Sequence, residues 1–275
     1  MPPSLSIVVP AYNEAARLVQ SLPIILDYLN KTSPEAELIV VDDGSTDDTA
    51  EVSRLALARS GSINARVITY ETNRGKGHAV RLGMLASQAQ VVLFSDADLS
   101  SPITEAPKLI EPIEQGEYDV TFGSRALDRR LIGTHQPWRR EQGGRIFNLI
   151  VRLVTGLPFW DTQCGFKAFR MSACRPIVEA ATIDRFGFDV ELLYVAQLAG
   201  LRLKEIPVRW DHKIGMLDAS GNYARDSLRM VSEVKRIRRQ VDKGVYTEAI
   251  SAARTMSLVE QRQALHSSGA PDARR

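Results

Sequence analysis

A chain of 275 residues, 44 % hydrophobic and 25 % charged, is long enough to bury a sizeable core and has the ordinary composition of a soluble globular protein. Its formal net charge of +2 excludes nucleic-acid binding driven by the charge of the whole molecule. Two cysteines, Cys164 and Cys174, do not make a disulfide framework and favour a reducing compartment.

The opening Met1-Pro2-Pro3-Ser4 has no basic region, apolar stretch or cleavage site of a secretory leader, and runs straight into an apolar strand at Leu5–Val9. A helix over about 14–30 follows, then a strand at Leu38–Val41, a helix over about 47–60, a strand at Arg66–Tyr70 and a helix over about 77–88. Strands at Val91–Ser95 and Asp119–Gly123 flank a helix over about 103–115. Ser45-Thr46-Asp47-Asp48 supplies capping groups for the second helix, and Ser101-Pro102 places proline in the first turn of the fourth. Strand and helix in alternation predict an α/β fold, a mainly parallel sheet covered on both faces.

Past residue 123 the pattern is less regular. A basic, apolar-rich helix is expected over 139–157, another around Val190–Leu198, then a strand at Lys204–Trp210 and a helix around 223–241. After Gly244 the chain turns to Ala, Ser, Arg and Gln, which predicts a tail that is partly helical with a disordered end. No uninterrupted apolar run approaches the roughly 20 residues that span a bilayer, so any meeting with a membrane is expected at its surface.

In sheets of this kind ligands bind beyond the carboxyl ends of the strands, where the polar clusters fall. Pro10-Ala11-Tyr12-Asn13-Glu14 follows the first strand, Asp42-Asp43-Gly44-Ser45 the second, and Ser95-Asp96-Ala97-Asp98 the fourth. Two carboxylates at i and i+2, where a strand breaks into a loop, suit Mg²⁺ or Mn²⁺ shared with substrate phosphates; the same spacing also fits a solvated turn or a helix cap. Asp42 beside Gly44 suits a ribose or base contact, and equally a strand-to-helix turn. Asn73-Arg74-Gly75-Lys76-Gly77 lacks the spacing of a P-loop, and no Gly-x-Gly-x-x-Gly opens the first helix, so both dinucleotide and P-loop readings are excluded. Lys76 remains a candidate nucleotide contact, or part of a simple turn.

With these residues in view the chain resembles the family 2 glycosyltransferases. Val8-Val9-Pro10-Ala11-Tyr12-Asn13-Glu14, Val40-Val41-Asp42-Asp43-Gly44-Ser45, Asn73 to Gly77 and Ser95 to Asp98 carry the likeness. Phe122-Gly123-Ser124-Arg125-Ala126, Asp161-Thr162-Gln163-Cys164-Gly165-Phe166-Lys167 and Phe186-Gly187-Phe188-Asp189-Val190-Glu191-Leu192-Leu193 narrow it. They are similar to the dolichyl- or polyprenyl-phosphate hexosyltransferases, in particular the glucosyl branch. The resemblance implies a GT-A-type α/β fold in a single domain over 1–243, with a nucleotide-binding half over about 1–123 and an acceptor half over about 124–243. It implies inverting transfer of a hexose from UDP-glucose, or alternatively GDP-mannose, to a polyprenyl or dolichyl phosphate. A divalent cation, Mg²⁺ or Mn²⁺, would assist at the cytosolic face of a membrane.

Carried onto this sequence, Pro10, Tyr12, Glu14 and Asp42 would hold the base and ribose, and Asp96 and Asp98 the metal and diphosphate. Two anions must meet in such a reaction, which calls for cations at the attack point. Arg125 is the first choice for the acceptor phosphate, since guanidinium grips phosphate bidentately; the competing reading pairs it with Asp128 at the surface. Arg139, Arg140 and Lys167 are secondary choices. Asp189 and Glu191 have the i, i+2 spacing that other glycosyltransferases use for a base, and equally suit capping residues or groups that orient an arginine. Seven arginines between Arg125 and Arg152 face only Asp128 and Glu141. Among Trp138, Ile146, Phe147, Leu149, Ile150, Leu153, Phe159 and Trp160, they suggest either an interfacial helix or a core-facing helix with a solvated basic side. Where relatives often carry a Gly-Ser-Lys-like segment this chain has Lys213-Ile214-Gly215-Met216-Leu217. A nucleotidyltransferase and a non-catalytic binding module are the rival readings from other classes.

Overall fold

The computed structural model describes residues 3–213 and 223–267. Its first half follows the expected alternation: β1 (Leu5–Ala11), α1 (Ala15–Thr32), β2 (Glu37–Asp42), α2 (Thr49–Leu57), β3 (Asn64–Thr69), α3 (Lys76–Ala86), β4 (Val91–Ser95), α4 (Ala106–Glu114) and β5 (Val120–Ser124). Then come β6 (Ile132–Thr134), α5 (Trp138–Thr155), β7 (Phe166–Arg170), α6 (Met171–Ala180), α7 (Phe188–Leu198), β8 (Leu203–Pro207), β9 (Trp210–Asp211), α8 (Tyr223–Asp242) and α9 (Thr247–Ser267). The main sheet has seven strands in the order β3-β2-β1-β4-β7-β5-β8. β1 pairs in parallel with β2 and β4, β2 with β3, and β5 with β8. Only β7 runs antiparallel, wedged between β4 and β5.

Two-residue alternation along the buried strands assigns side chains to two apolar layers. Ile7, Val9, Leu38, Val40 and Leu93 meet Leu18, Leu22 and Ile25 of α1 and Leu109 of α4. Val8, Ile39, Val41, Val92 and Phe94 meet Ala79, Val80 and Met84 of α3 and the Phe188–Ala196 stretch of α7. Helices therefore cover both faces, as the near-continuous apolar strands imply.

The second half departs from the expected pattern at three points. β7 and α6 were not foreseen. In Phe166-Lys167-Ala168-Phe169-Arg170 a lysine suggests a solvent-facing position, yet Lys167 is fully buried and ion-paired. The strand expected over Lys204–Trp210 splits into β8 and β9; β8 stops at Pro207, which has no N–H for the ladder, and β9 pairs with β6 in a separate two-stranded sheet. The segment after Gly244, expected as a tail that is partly helical with a disordered end, is helical over Thr247–Ser267 as α9 and packs on α6. Tyr246 and Ala253 are buried there, the Ser257 hydroxyl donates to Asp119, and Glu260 pairs with Arg170 at 2.9 Å. Among the described residues no helix is long and apolar enough to cross a membrane.

Candidate functional site

The loops after β1 and β2 are knitted together at the carboxyl edge of the sheet. The Asn13 N–H donates to the Ser45 hydroxyl (2.9 Å), the Thr46 N–H to the Asn13 side-chain carbonyl (2.8 Å) and the Glu14 N–H to the Thr49 hydroxyl (2.8 Å). Asn13 reaches these partners with φ of 53°, a left-handed conformation that asparagine tolerates better than most residues. Asp43 is the next anchor. Its carboxylate accepts from the Tyr70 hydroxyl (2.7 Å), the Asn73 amide (2.8 Å) and the backbone N–H groups of Arg74 and Gly75 (both 2.8 Å). That cradle draws the Asn73–Gly77 loop against the sheet edge. Gly75 takes φ of 112°, and a Cβ on Gly77 would meet the Ile183 carbonyl and Phe188 Cβ at 2.6 Å. The glycines thus serve close backbone approach rather than a phosphate loop.

A cavity of about 630 Å³ opens above these loops. Pro10, Tyr12, Glu14, Lys76, Asp96, Asp98, Arg125, Arg140 and Asp189 all line it. Nine residues separated in sequence by up to 179 positions (189 − 10) therefore converge on one space, the strand-end clusters after β1 and β4 among them. At its floor Asp98 accepts from the Ser100 N–H (2.8 Å) and hydroxyl (2.9 Å), and Leu99 is turned to φ of 50°. A non-glycine residue in that conformation carries local strain, held here by the bonds around Asp98. Asp96 is pressed against Gly165, where any Cβ would collide with its carboxylate, and its N–H donates to the Gly165 carbonyl at 3.0 Å. The Lys76 ammonium lies 2.5 Å from Asp96 Oδ1. Burial raises the Glu14 pKa; its Arg17 partner at 2.7 Å opposes the rise, and the charges of Asp98 and Asp96 add to it.

Four of the expected site residues are placed elsewhere or unplaced. Asp42 is buried beneath the cavity, accepting from the Ser45 N–H at 3.1 Å, and its neighbour Asp43 is the residue that reaches the lining. Glu191 is fully buried away from the cavity. It accepts from the Thr182 N–H (2.8 Å) and hydroxyl (2.9 Å), the Ile183 N–H (2.9 Å) and the Tyr246 hydroxyl (2.5 Å), tying α7 to the chain before it and to the start of α9. Lys167 does not face an acceptor either. It lies inside the sheet, 2.6 Å from Asp189 Oδ1 and beside the Phe94 ring, as a buried counter-ion. The side chain of Arg139, and the Ile214–Leu217 stretch, lie outside the described residues.

Asp189 and Arg125 also line the cavity. Burial raises the Asp189 pKa against the pull of Lys167 and Lys76. Arg125 is held by Asp161, not by Asp128: its Nε and Nη2 donate to the two carboxylate oxygens at 2.7 and 2.8 Å, and its N–H adds a third bond at 2.9 Å. Asp128 instead pairs with Arg130. Glu205 braces the pair from behind, accepting from the Asp161 N–H (2.7 Å), the Trp160 N–H (2.9 Å) and the Ser124 hydroxyl (2.7 Å). The Trp210 ring lies 5.5 Å from the Arg125 guanidinium, close enough for a cation–π contact.

Residues 6–178 match the model of the family described as Glycosyl transferase family 2. The chain belongs to that family. It is 33 % identical over 245 residues to a dolichyl-phosphate beta-glucosyltransferase of Dictyostelium discoideum, an alignment that covers 85 % of this chain and 73 % of the relative. A human dolichyl-phosphate beta-glucosyltransferase is 36 % identical over 219 residues, 75 % of this chain and 67 % of the relative. Among solved structures, glucosyl-3-phosphoglycerate synthase from Mycobacterium tuberculosis in complex with Mg²⁺ and UDP superposes with a TM-score of 0.59 at 22 % identity, over 84 % of this chain and 79 % of that one. That likeness bears on the fold, which is of the GT-A type.

This family 2 glycosyltransferase also places in its cavity residues that sequence reasoning passed over: Arg17, Asp43, Gln163, Arg185, Trp210 and His212. His212 follows β9 directly, its N–H donating to the Thr134 carbonyl at 3.0 Å, and lines the cavity. Burial lowers its pKa, Arg140 adding to the effect and Asp98 opposing it, so the imidazole is neutral near pH 7 and able to act as a ligand. Among the described residues no cluster of three metal-binding side chains is complete. Asp96 and Asp98, two hard oxygen donors open to the cavity, fit a cation that takes its other ligands from water and phosphate.

Proposed function

We propose that this glycosyltransferase transfers glucose from UDP-glucose to a polyprenyl or dolichyl phosphate, with a divalent cation and with inversion at the anomeric carbon. The observation that carries the reading is that the Asp96/Asp98 pair and the Asp161-braced Arg125 line one cavity. Pro10, Tyr12 and Glu14, which line the cavity at the end of β1, would hold the base and ribose. Bound at Asp96 and Asp98, the cation would neutralise the departing diphosphate as a Lewis acid and template. Arg125, with Arg140 on the same wall, would align the acceptor phosphate for attack.

An oxygen of that phosphate attacks the anomeric carbon from the face opposite the diphosphate. The new C–O bond forms as the old one breaks, and its electron pair leaves on UDP. A phosphate monoester, with a second pKa of about 6, is already anionic near neutral pH. It needs little help from a base, which agrees with the lysine-paired carboxylate of Asp189 and with Glu191 buried elsewhere. Incubation with radiolabelled UDP-glucose, Mn²⁺ and a short polyprenyl phosphate is expected to give labelled lipid and UDP in equal amounts. Labelled lipid from GDP-mannose alone would reassign the donor. Release of pyrophosphate from a nucleoside triphosphate would point to a nucleotidyltransferase, and no turnover with any of these would end the reading.

The surroundings of α5 support a membrane-borne acceptor. Its inner face buries Phe147 and Val151, while Trp138, Ile146, Leu149 and Leu153 share the opposite face at helical spacing and are exposed, Leu153 to 77 %. Arg145 and Arg152 flank that stripe, and Arg152 lies 4.0 Å over the exposed Trp160 ring. Apolar side chains between arginines suit an anionic lipid surface, and the cavity mouth adjoins them through Arg140, Gly143 and Gly144. Flotation with vesicles of phosphatidylcholine and phosphatidylserine is expected to carry the wild-type protein and to leave Leu149→Glu/Leu153→Glu behind, with UDP binding equal in both. Equal flotation of the two would remove α5 as the contact.

A further inference from the structure

Lys76 is the first residue of α3, and its backbone has little freedom. Gly75 and Gly77 are packed against the Ile183–Phe188 segment, the His78 N–H donates to the Asp184 carbonyl at 3.0 Å, and the Asp43 carboxylate holds the preceding N–H groups. Asp96 is equally confined by Gly165. What can move between these two anchors is the lysine's four-carbon stem, which ends on Asp96 Oδ1 and is 23 % exposed toward the cavity. The contact at 2.5 Å pairs that ammonium with the Asp96 carboxylate. A monovalent cation thus sits on a carboxylate that the proposed function gives to a divalent one. Two cations cannot share that oxygen without strong repulsion, so a divalent ion that uses Asp96 together with Asp98 needs the lysine displaced.

Resting on the reading of the cavity as a nucleotide-sugar site, we propose that Lys76 is an exchangeable counter-ion of Asp96. A divalent cation binds well only when a nucleoside diphosphate draws the lysine off, so metal and nucleotide load together. The diphosphate supplies the new anionic partner within reach of the released ammonium, and the metal takes the vacated oxygen. Linkage makes the effect reciprocal: whatever factor UDP adds to the metal affinity, the metal adds to UDP. The arrangement protects the carboxylate pair from free divalent ions and ties cation entry to donor entry.

Mn²⁺ binding, followed by electron paramagnetic resonance with and without saturating UDP, tests this without turnover. In the wild type UDP is expected to tighten Mn²⁺ by at least about 10-fold, within the usual range of coupling. Lys76→Met keeps the stem and removes the charge. It is expected to bind Mn²⁺ alone about 10-fold more tightly than the wild type, with the enhancement by UDP reduced by a similar factor. Lys108→Met removes one positive charge outside the cavity, where Lys108 pairs with Glu105, and is expected to leave the enhancement intact. Unchanged coupling in Lys76→Met, or an equal loss in Lys108→Met, would overturn the exchange. A wild-type protein that binds neither UDP nor Mn²⁺ gives a different failure, that of the nucleotide-sugar reading, and takes the exchange with it.

Discussion

Asp98→Asn is expected to lower glucosyl transfer by about 100-fold or more, and to abolish the tightening of UDP binding by Mn²⁺, while the fold persists. Asparagine has the same shape, and its carbonyl still accepts from the Ser100 N–H, so the strained turn at Leu99 keeps its main support. What disappears is a negative charge at the point where a cation and a departing diphosphate would meet. Binding of UDP without metal should change little, because Pro10, Tyr12 and Glu14 lie on a different strand end. Calorimetric titration of UDP with and without Mn²⁺, paired with thermal melting, separates the outcomes. Full metal-dependent UDP binding in a folded Asp98→Asn would remove the carboxylate pair from the cation's site.

Arg125→Ala is expected to cut kcat/KM for the polyprenyl phosphate about 100-fold, leaving the affinity for UDP with Mn²⁺ unchanged. The substitution also strands a buried carboxylate. Burial works against the Asp161 charge, but Arg125 and the nearby Lys167 hold its pKa below the usual carboxylate range. A depressed pKa of this kind stabilises the fold above the ordinary carboxylate value of about 4 and ceases to do so only as pH falls through the folded value. The pair therefore stays intact across neutral pH, and losing one partner destabilises the protein by about 3–5 kcal/mol. Arg125→Lys separates the two effects, since it keeps a charge for Asp161 but loses the bidentate fork. It should regain most of the thermal stability yet little of the acceptor kcat/KM. Recovery of both together would reduce Arg125 to a structural ion pair.

Much of the site was legible because its residues follow strands that announce themselves. β1, β2 and β4 are apolar runs ending in polar clusters, and a parallel sheet places such ends on one rim. That argument placed the clusters that hold Asp96, Asp98, Tyr12 and Glu14 on the rim, and the family resemblance singled out the individual residues. Where two acids adjoin, as in Asp42-Asp43, the sequence offers no means of choosing the one that reaches the cavity, because a single turn of backbone decides it. Asp189 and Glu191 show the same limit: a spacing of two on α7 sends one carboxylate to the cavity and the other into a network with Thr182, Ile183 and Tyr246.

Lys167 and Arg125 mark the boundary more sharply. A lysine in Gln163-Cys164-Gly165-Phe166-Lys167 looks like a ligand for an anion, and burial on an antiparallel strand makes it a counter-ion instead. Periodicity could not reveal β7, since the charge that breaks its apolar run is neutralised by a helix residue 22 positions later (189 − 167). Arg125 finds Asp161 rather than the nearby Asp128 for the same reason: partners at long range are chosen by the sheet that aligns β5 with the loop before β7. The amino-acid order alone determined the α/β class, the strand-end rim and the kinds of charge available there, since these depend on local propensity and a two-residue period. Which charges pair, which are buried and which face the cavity was decided by tertiary packing, where desolvation permits a buried charge to persist only beside a partner that the fold itself delivers.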